Sequence, residues 1–221
     1  VYKRQGQDVL SVENLTKTFG QNTLYEVISF NIYKGQKVGL IGGNGTGKTT
    51  LFKMILNKLK PDSGKIEIGV SVYPVYFDQE QKDLDLDKTI IDEVWDKYPY
   101  LTHYDIRSYL AKFMFIGDDI FNIVGDLSGG ERSRITLLEL MLSDSNFLLM
   151  DEPTNHLDID SKETLEDALN DYEATAFMIS HDRYFLNKVC DVIIEIKDKN
   201  IKIYNGNYDY YLSKQENEQK T

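Results

Sequence analysis

One cysteine in 221 residues excludes an internal disulfide. Cys190, in Lys188-Val189-Cys190-Asp191-Val192, reads as a small buried hydrophobe among apolar neighbours. A reducing cytoplasm is the expected setting. The three histidines lie far apart and no further cysteines accompany them, so no zinc-binding spacing exists. No apolar run approaches the ~20 residues that a membrane span needs. Positive charge is scarce as well: 25 Lys and Arg stand against 36 Asp and Glu, a net charge of −11. That balance argues against unaided binding to nucleic acid, which needs a basic face to displace counterions. A basic patch on an acidic body, or a basic part outside this chain, stays compatible with it. There is no internal repeat and no long coiled-coil pattern. What is present is ordinary for a globular protein, 41% hydrophobic and 28% charged. The length suits one large domain or a core with a small satellite.

The most informative stretch is Gly42-Gly43-Asn44-Gly45-Thr46-Gly47-Lys48-Thr49. It follows the apolar run Val38-Gly39-Leu40-Ile41 and precedes a helical one, Leu51-Phe52-Lys53-Met54-Ile55-Leu56. A glycine-rich turn could carry these letters by accident. Strand before and helix after are the context in which G-x-x-x-x-G-K-[ST] reads as a phosphate loop. The glycines let backbone N–H groups converge on phosphate oxygens, and the opening helix points its positive end at the same place. Lys48 is then expected to reach the β- and γ-phosphates, with the Thr49 hydroxyl on Mg²⁺. Thr50 follows in the same first turn. The base-reading Asn-Lys-x-Asp pattern of GTPases is missing, since Asn57-Lys58 and Asn187-Lys188 continue as Leu59-Lys60 and Val189-Cys190.

Residues 1–7 show neither an initiating methionine nor periodicity. They are expected to be a non-native or linker remnant, which makes the chain the 3′ part of a longer gene. Val9 to Phe19 reads as an edge strand, and Tyr25 to Tyr33 alternates again. Phe19, before Gly20, is a candidate platform for stacking adenine, or an ordinary core aromatic. Pro61-Asp62-Ser63-Gly64 is a turn, followed by short strands over Lys65 to Ile68 and Val70 to Phe77 that end at Asp78-Gln79-Glu80. From Lys88 to Asn122 the period becomes helical, with Ile90, Ile91, Val94 and Trp95, then Ile106, Leu110, Phe113 and Met114.

Leu127-Ser128-Gly129-Gly130-Glu131 opens a strongly periodic helix, and a helix start of this kind again favours an anion. A single triphosphate needs no second cradle in one domain, so this one makes sense facing another molecule's nucleotide. Phe147-Leu148-Leu149-Met150 is a buried strand ending in Asp151-Glu152. A carboxylate at that position is where Mg²⁺ is held beside a phosphate loop, and a second one next door suits orienting or deprotonating the attacking water. The alternative is a pair of solvated acids. Ser161 to Leu169 reads as a helix after the loop Pro153-Thr154-Asn155-His156-Leu157-Asp158. Ala174 to Ile179 is another buried strand, and His181 projects from its end toward the same crevice, where a surface histidine is the alternative. Strands over Val192 to Ile196 and Ile201 to Tyr204 precede a helical tail, Asn207 to Thr221.

Together these motifs resemble the nucleotide-binding domain of ATP-binding cassette (ABC) proteins, over nearly the whole chain. Residues 42–49 match Walker A, Gln79 the Q-loop, Leu127 to Glu131 the signature, Phe147 to Asp151 Walker B, Glu152 the catalytic glutamate, Asp158 the D-loop and His181 the switch histidine. Tyr76-Phe77-Asp78-Gln79, Glu152-Pro153-Thr154-Asn155-His156-Leu157-Asp158, Ser180-His181-Asp182-Arg183-Tyr184-Phe185-Leu186 and Tyr204-Asn205-Gly206-Asn207-Tyr208 are similar to the ABC-F proteins, and the short insert and tail to their second, C-terminal cassette. Gly43, where Pro or Glu is frequent, and Thr49 for the usual Ser are departures that remove no phosphate or metal contact.

The resemblance implies an α/β P-loop NTPase fold: a β-rich N-terminal subdomain, a mainly parallel core sheet and a small helical insert. It implies a domain over 8–206, a helical subdomain at about 84–140 and a tail from 207. It implies ATP hydrolysis with Mg²⁺ held by Thr49, Gln79 and Asp151, and catalysis by Glu152, His181 and Gln79. Full activity is expected only in a head-to-tail pair, with Ser128 and Gly130 closing over the partner's ATP. The implied partners are a second ABC domain, in the same full-length chain or as a homodimer of this fragment, and the ribosome, with no membrane domain, in the cytoplasm, as a translation factor or antibiotic-protection protein. The ATPase subunit of a membrane transporter shares every catalytic motif and is the alternative; a non-hydrolysing clamp is a third reading.

Overall fold

The computed structural model describes residues 8–77, 84–155 and 157–219. They form two compact units. Of the described residues, the first takes 8–76, Ser145–Pro153 and 173–219. The second takes Phe77–Asp144 and Thr154–Tyr172.

The first unit opens with strands β1 (Asp8–Phe19) and β2 (Asn22–Tyr33), which pair antiparallel. Strand β4 (Ser63–Ile68) pairs with the other side of β1, so the order is β2-β1-β4. The first strand is therefore central, where its sequence reads as an edge. Its second partner lies some fifty residues downstream, and local periodicity carries no trace of it. Register shifts along β1 leave Val9 and Leu10 buried side by side, which breaks the strict alternation.

The second sheet runs β5 (Pro74–Phe77), β6 (Phe147–Asp151), β7 (Thr175–Ile179), β3 (Lys37–Gly42), β8 (Val192–Lys197), β9 (Asn200–Tyr204). The ladders β6–β7, β7–β3 and β3–β8 are parallel, and β9 closes the edge antiparallel to β8. Parallel strands buried on both faces read as unbroken apolar runs. Phe147, Leu148, Leu149 and Met150 show it, each at 0% exposure. Helix α1 (Lys48–Ile55) follows β3 directly. Phe52 of α1 and Phe30 of β2 set their rings 5.1 and 6.0 Å from that of Phe177 on β7, so one side chain joins helix and both sheets. Truncating it to alanine is worth about 3–5 kcal/mol. Helices α6 (Arg183–Val189) and α7 (Tyr208–Gln219) complete the unit.

The second unit is helical: α2 (Ile90–Lys97), α3 (His103–Lys112), α4 (Gly129–Leu142) and α5 (Ile159–Asp171), with short 3-10 turns at Asp119–Phe121 and Val124–Asp126. Each helix start is written in its sequence. Thr89 caps α2, and Thr102 with Asp105 forms a capping box on α3. Ile90, Ile91, Val94, Ile106, Leu110 and Phe113 are buried as their spacing predicts. Met114 is not: α3 ends at Lys112, Met114 turns left-handed (φ 65°), and its side chain is exposed. Among the described residues no helix is long and apolar enough to cross a membrane.

Candidate functional site

The phosphate loop leaves β3 at the carboxyl end of the parallel sheet, with β7 on one side and β8 on the other. Two of its glycines are obligatory for different reasons. Gly42 (φ 154°) lies so close to β8 that a Cβ would meet the Ile196 carbonyl at 2.7 Å and Thr46 Oγ1 at 2.9 Å. Gly47 (φ 99°) is left-handed at the N-cap of α1, and a Cβ there would run into the Tyr25 hydroxyl. Gly43, Asn44 and Gly45 are exposed at the crest, where backbone N–H groups can face a ligand. Thr46 braces the turn by donating its hydroxyl to the Gly43 carbonyl at 2.9 Å. Thr50, half-buried, stands in the first turn of α1.

Lys48 folds back over the loop, its Nζ donating to the carbonyls of Gly42 (2.8 Å) and Gly43 (3.0 Å). Burial holds its ammonium below the usual lysine range, against the pull of Glu152 and Asp151. A triphosphate at the crest supplies oxygens to which this buried cation can turn. Thr49 Oγ1 donates to Asp151 Oδ2 at 2.8 Å, so the hydroxyl expected on Mg²⁺ and the carboxylate at the end of β6 already meet. Two hard oxygen donors, completed by phosphate oxygens and water, fit Mg²⁺, which seldom uses a dedicated all-protein cage. No cluster of three or more His, Cys, Asp or Glu is present among the described residues. Gln79 and His156, like residues 1–7 and 220–221, lie outside the described residues.

Glu152 follows Asp151 in a left-handed conformation (φ 52°) that a residue with a side chain rarely adopts. Its N–H donates to the Ile179 carbonyl at 2.8 Å, which anchors it across to β7. The twist turns its carboxylate to His181: Oε2 accepts from the His181 backbone N–H at 3.2 Å, and Oε1 lies 3.5 Å from Nε2. Partial burial raises the Glu152 pKa, while the His181 N–H opposes the shift. A carboxylate nudged upward is a better proton acceptor near neutrality. The sheet thus brings Lys48, Thr49, Asp151, Glu152 and His181 to one end of one unit.

Phe19, at the end of β1, is 49% exposed, with the Lys17 ammonium 5.1 Å from its ring centroid. At that exposure Phe19 is not a core aromatic.

In the second unit Ser128 caps α4 through a capping box. Its Oγ accepts from the Glu131 N–H (3.3 Å), and Glu131 Oε2 accepts from the Ser128 N–H (2.8 Å) and hydroxyl (2.7 Å). Those bonds hold the Glu131 carboxyl below its usual range. Leu127 is buried, whereas a Cβ on Gly129 would meet nothing within 4 Å. Gly130 packs against Asp158 and Ser161: a Cβ there would lie 3.3 Å from Asp158 Oδ2 and from Ser161 Oγ. Asp158 caps α5 by accepting the Ser161 N–H at 2.7 Å, which keeps its pKa low. Residues 127–131 and Asp158 are thus neighbours within the second unit.

One supporting residue was not legible. Tyr25 on β2 is fully buried and donates its hydroxyl to the Gly47 carbonyl, under the loop. In sequence it is one more apolar position of an alternating strand.

A family model described as ABC transporter matches residues 25–155. The chain is 46% identical over 215 residues to the ATP-binding protein YdiF of Bacillus subtilis, covering 97% of this chain and 34% of that protein. It is 40% identical over 211 residues to ABC transporter F family member 5 of Arabidopsis thaliana (95% and 30% covered). It is 41% identical over 213 residues to the energy-dependent translational throttle protein EttA of Escherichia coli K12 (94% and 38%). The chain therefore spans about a third of the length of the curated relatives it matches. Its fold is similar to that of cbiO1 from Clostridium perfringens, part of the ABC transporter complex cbiONQ, with a TM-score of 0.73 at 23% identity, covering 97% of this chain and 94% of that one.

Proposed function

The chain belongs to the ABC transporter family of ATP-binding cassettes, in its F group, and from that premise we propose that it works as one half of a head-to-tail cassette pair. It is an ATPase domain. The observation that carries the site reading is the convergence of Lys48, Thr49, Asp151, Glu152 and His181 at the carboxyl end of β3, β6 and β7. In this reading Lys48 exchanges its loop carbonyls for β- and γ-phosphate oxygens, and the backbone N–H groups of 43–48 cradle the rest. Thr49 and Asp151 hold Mg²⁺, with Gln79 as a third contributor; when bound, that ion offsets charge on the β- and γ-oxygens. Glu152, held in its left-handed turn, orients the attacking water and accepts its proton. His181 contacts the γ-phosphate beside it, and Phe19 stacks on adenine.

Residues 127–131 act on the ATP of the partner cassette, Ser128 and Gly130 closing over it, with Asp158 beside them. Because Ser128 already donates to Glu131, a phosphate there replaces the Glu131 carboxylate as the acceptor of that hydroxyl. Both are anionic acceptors, so the exchange costs little hydrogen bonding. The test is Glu152→Gln in the paired protein: ATP binding is retained, turnover is lost and the pair stays closed. Unchanged turnover excludes Glu152 as the base.

The intact protein is read as a two-cassette, cytoplasmic factor acting on the ribosome in translation, with this chain as its C-terminal cassette. What supports this is identity to an F-group family member and to a translational throttle protein. An antibiotic-protection role is the narrower form of the same proposal. Co-sedimentation with ribosomes in the presence of a non-hydrolysable ATP analogue tests it. Co-purification with a membrane permease in place of ribosomes points to the transporter subunit.

A further inference from the structure

Helix α7 takes part in no step above, yet it is tied to the ATP end of the first unit. Tyr208, Tyr211 and Gln215 are spaced three and four apart, which puts them on one helix face. The Tyr211 hydroxyl donates to Glu195 Oε1 at 3.0 Å, and the Gln215 amide donates to Oε2 at 3.1 Å. Tyr204 on β9 donates to Oε2 at 3.3 Å and accepts from Gln215 at 2.8 Å. Glu195 is only 8% exposed and stands opposite Ile41 in the parallel β3–β8 ladder, one residue before the first glycine of the phosphate loop. A buried carboxylate is tolerated when its oxygens are satisfied, and three donors satisfy this one. Burial, then the Glu195 bond, pushes the Tyr211 hydroxyl above its ordinary pKa, so it stays a donor at working pH.

A second tie runs to α6, whose first residue comes two after His181. Asn187 donates to Asp209 Oδ2 at 2.8 Å and accepts the Asp209 N–H at 2.9 Å. Finally, Tyr208, Tyr211 and Glu195 line a polar recess of about 290 Å³ together with Gly42, Gly43 and His181.

We infer that Glu195 is a positioning residue: through it, helix α7 fixes the corner of the ATP site formed by Gly42, Gly43 and His181, and loss of the tie lowers turnover while nucleotide binding survives. The inference rests on reading His181 as the γ-phosphate contact. It explains why a carboxylate sits inside the sheet edge, where a valine or isoleucine would pack without needing three donors.

The chain has three histidines, so the imidazole Cε1–H signals in a ¹H–¹³C spectrum can each be assigned by substitution. The test compares Glu195→Ala, Glu195→Gln and Gln215→Ala in the full chain, with and without Mg-ATP. Turnover is measured where activity per molecule no longer rises with protein concentration. Glu195→Ala is expected to move or broaden the His181 signal and leave His103 in place. Its kcat should fall about tenfold, the scale of a small misplacement of a reacting group, with KM within about twofold. Glu195→Gln keeps an acceptor for Tyr211 and restores most of both. An unchanged His181 signal and kcat in Glu195→Ala overturn the inference, as does a change confined to KM. Should Glu195→Ala fail to fold, Gln215→Ala, which removes one donor and does not line the recess, must give a smaller change in the same direction; no change overturns the tie. Normal kcat in His181→Ala would sink the histidine's role instead, a separate failure from an unmoved His181 signal in Glu195→Ala.

Discussion

Tyr25→Phe isolates one bond under the phosphate loop. The ring keeps its volume in the core, so no cavity forms, and what disappears is the hydroxyl donated to the Gly47 carbonyl. That carbonyl also accepts the Leu51 N–H at 2.8 Å, the first bond of α1. It is therefore not orphaned, and the loss is that of a net hydrogen bond, about 0.5–1.5 kcal/mol, without a desolvation penalty on top. Because the peptide unit is planar, the Gly47 carbonyl sets the direction of the Lys48 N–H, one of the donors proposed for the phosphates. If the whole bond is expressed in nucleotide binding, Kd for Mg-ATP rises about two- to tenfold. If it is expressed in folding, Tm falls by about 1–6 °C at this chain length. Calorimetric titration with Mg-ATP and thermal unfolding, run on the same samples, separate the two. Tyr33→Phe is the control, since Tyr33 is exposed at the end of β2. Parental Kd and Tm together for Tyr25→Phe would refute the claim that Tyr25 holds the loop.

Other outcomes follow from the same geometry. Gly129→Ala, with open space at its Cβ, is expected to stabilise by up to about 1 kcal/mol through helix propensity, whereas Gly130→Ala, 3.3 Å from Asp158 and Ser161, should gain less or lose; chemical denaturation ranks them, and the reverse order contradicts the packing described. Ser128→Ala removes the α4 cap, worth about 1 kcal/mol, and in the paired protein should abolish turnover while leaving ATP bound; retained turnover would deny residues 127–131 their trans role. The Glu152 pKa is raised by burial, so the acid limb of kcat/KM should lie above the ordinary glutamate value. In stability the sign is opposite: the protonated carboxyl is the form burial favours, so its contribution is full below the ordinary glutamate value and is lost as pH rises through the folded pKa. A pH–rate profile with its limb at or below that ordinary value removes the burial argument.

Much of the site was legible because its chemistry is local. The run 42–49 carries its own strand and helix on either side, and Ser128 to Glu131 is a capping box in four consecutive letters. Asp151 and His181 end apolar runs, so their placement at strand ends needed only the runs to be strands. Other features depend on partners far away in the chain. Tyr25 reads as core until Gly47, twenty-two residues on, proves to be what it touches. Met114 keeps the helical spacing of its neighbours, yet α3 stops before it.

By itself the sequence determined the local groups of this cassette: glycines in the turn after a strand, a lysine and a threonine at a helix start, and carboxylates at a strand end. Those choices are made by residue type at fixed local spacing, which a linear text records. The tertiary structure decided which strands lie beside β3, that β1 is central, and that Glu152 turns left-handed onto His181. It also placed a buried glutamate from β8 under the C-terminal helix. Strand order and buried polar pairing arise from contacts between residues remote in sequence, and each is settled only when the whole core packs at once.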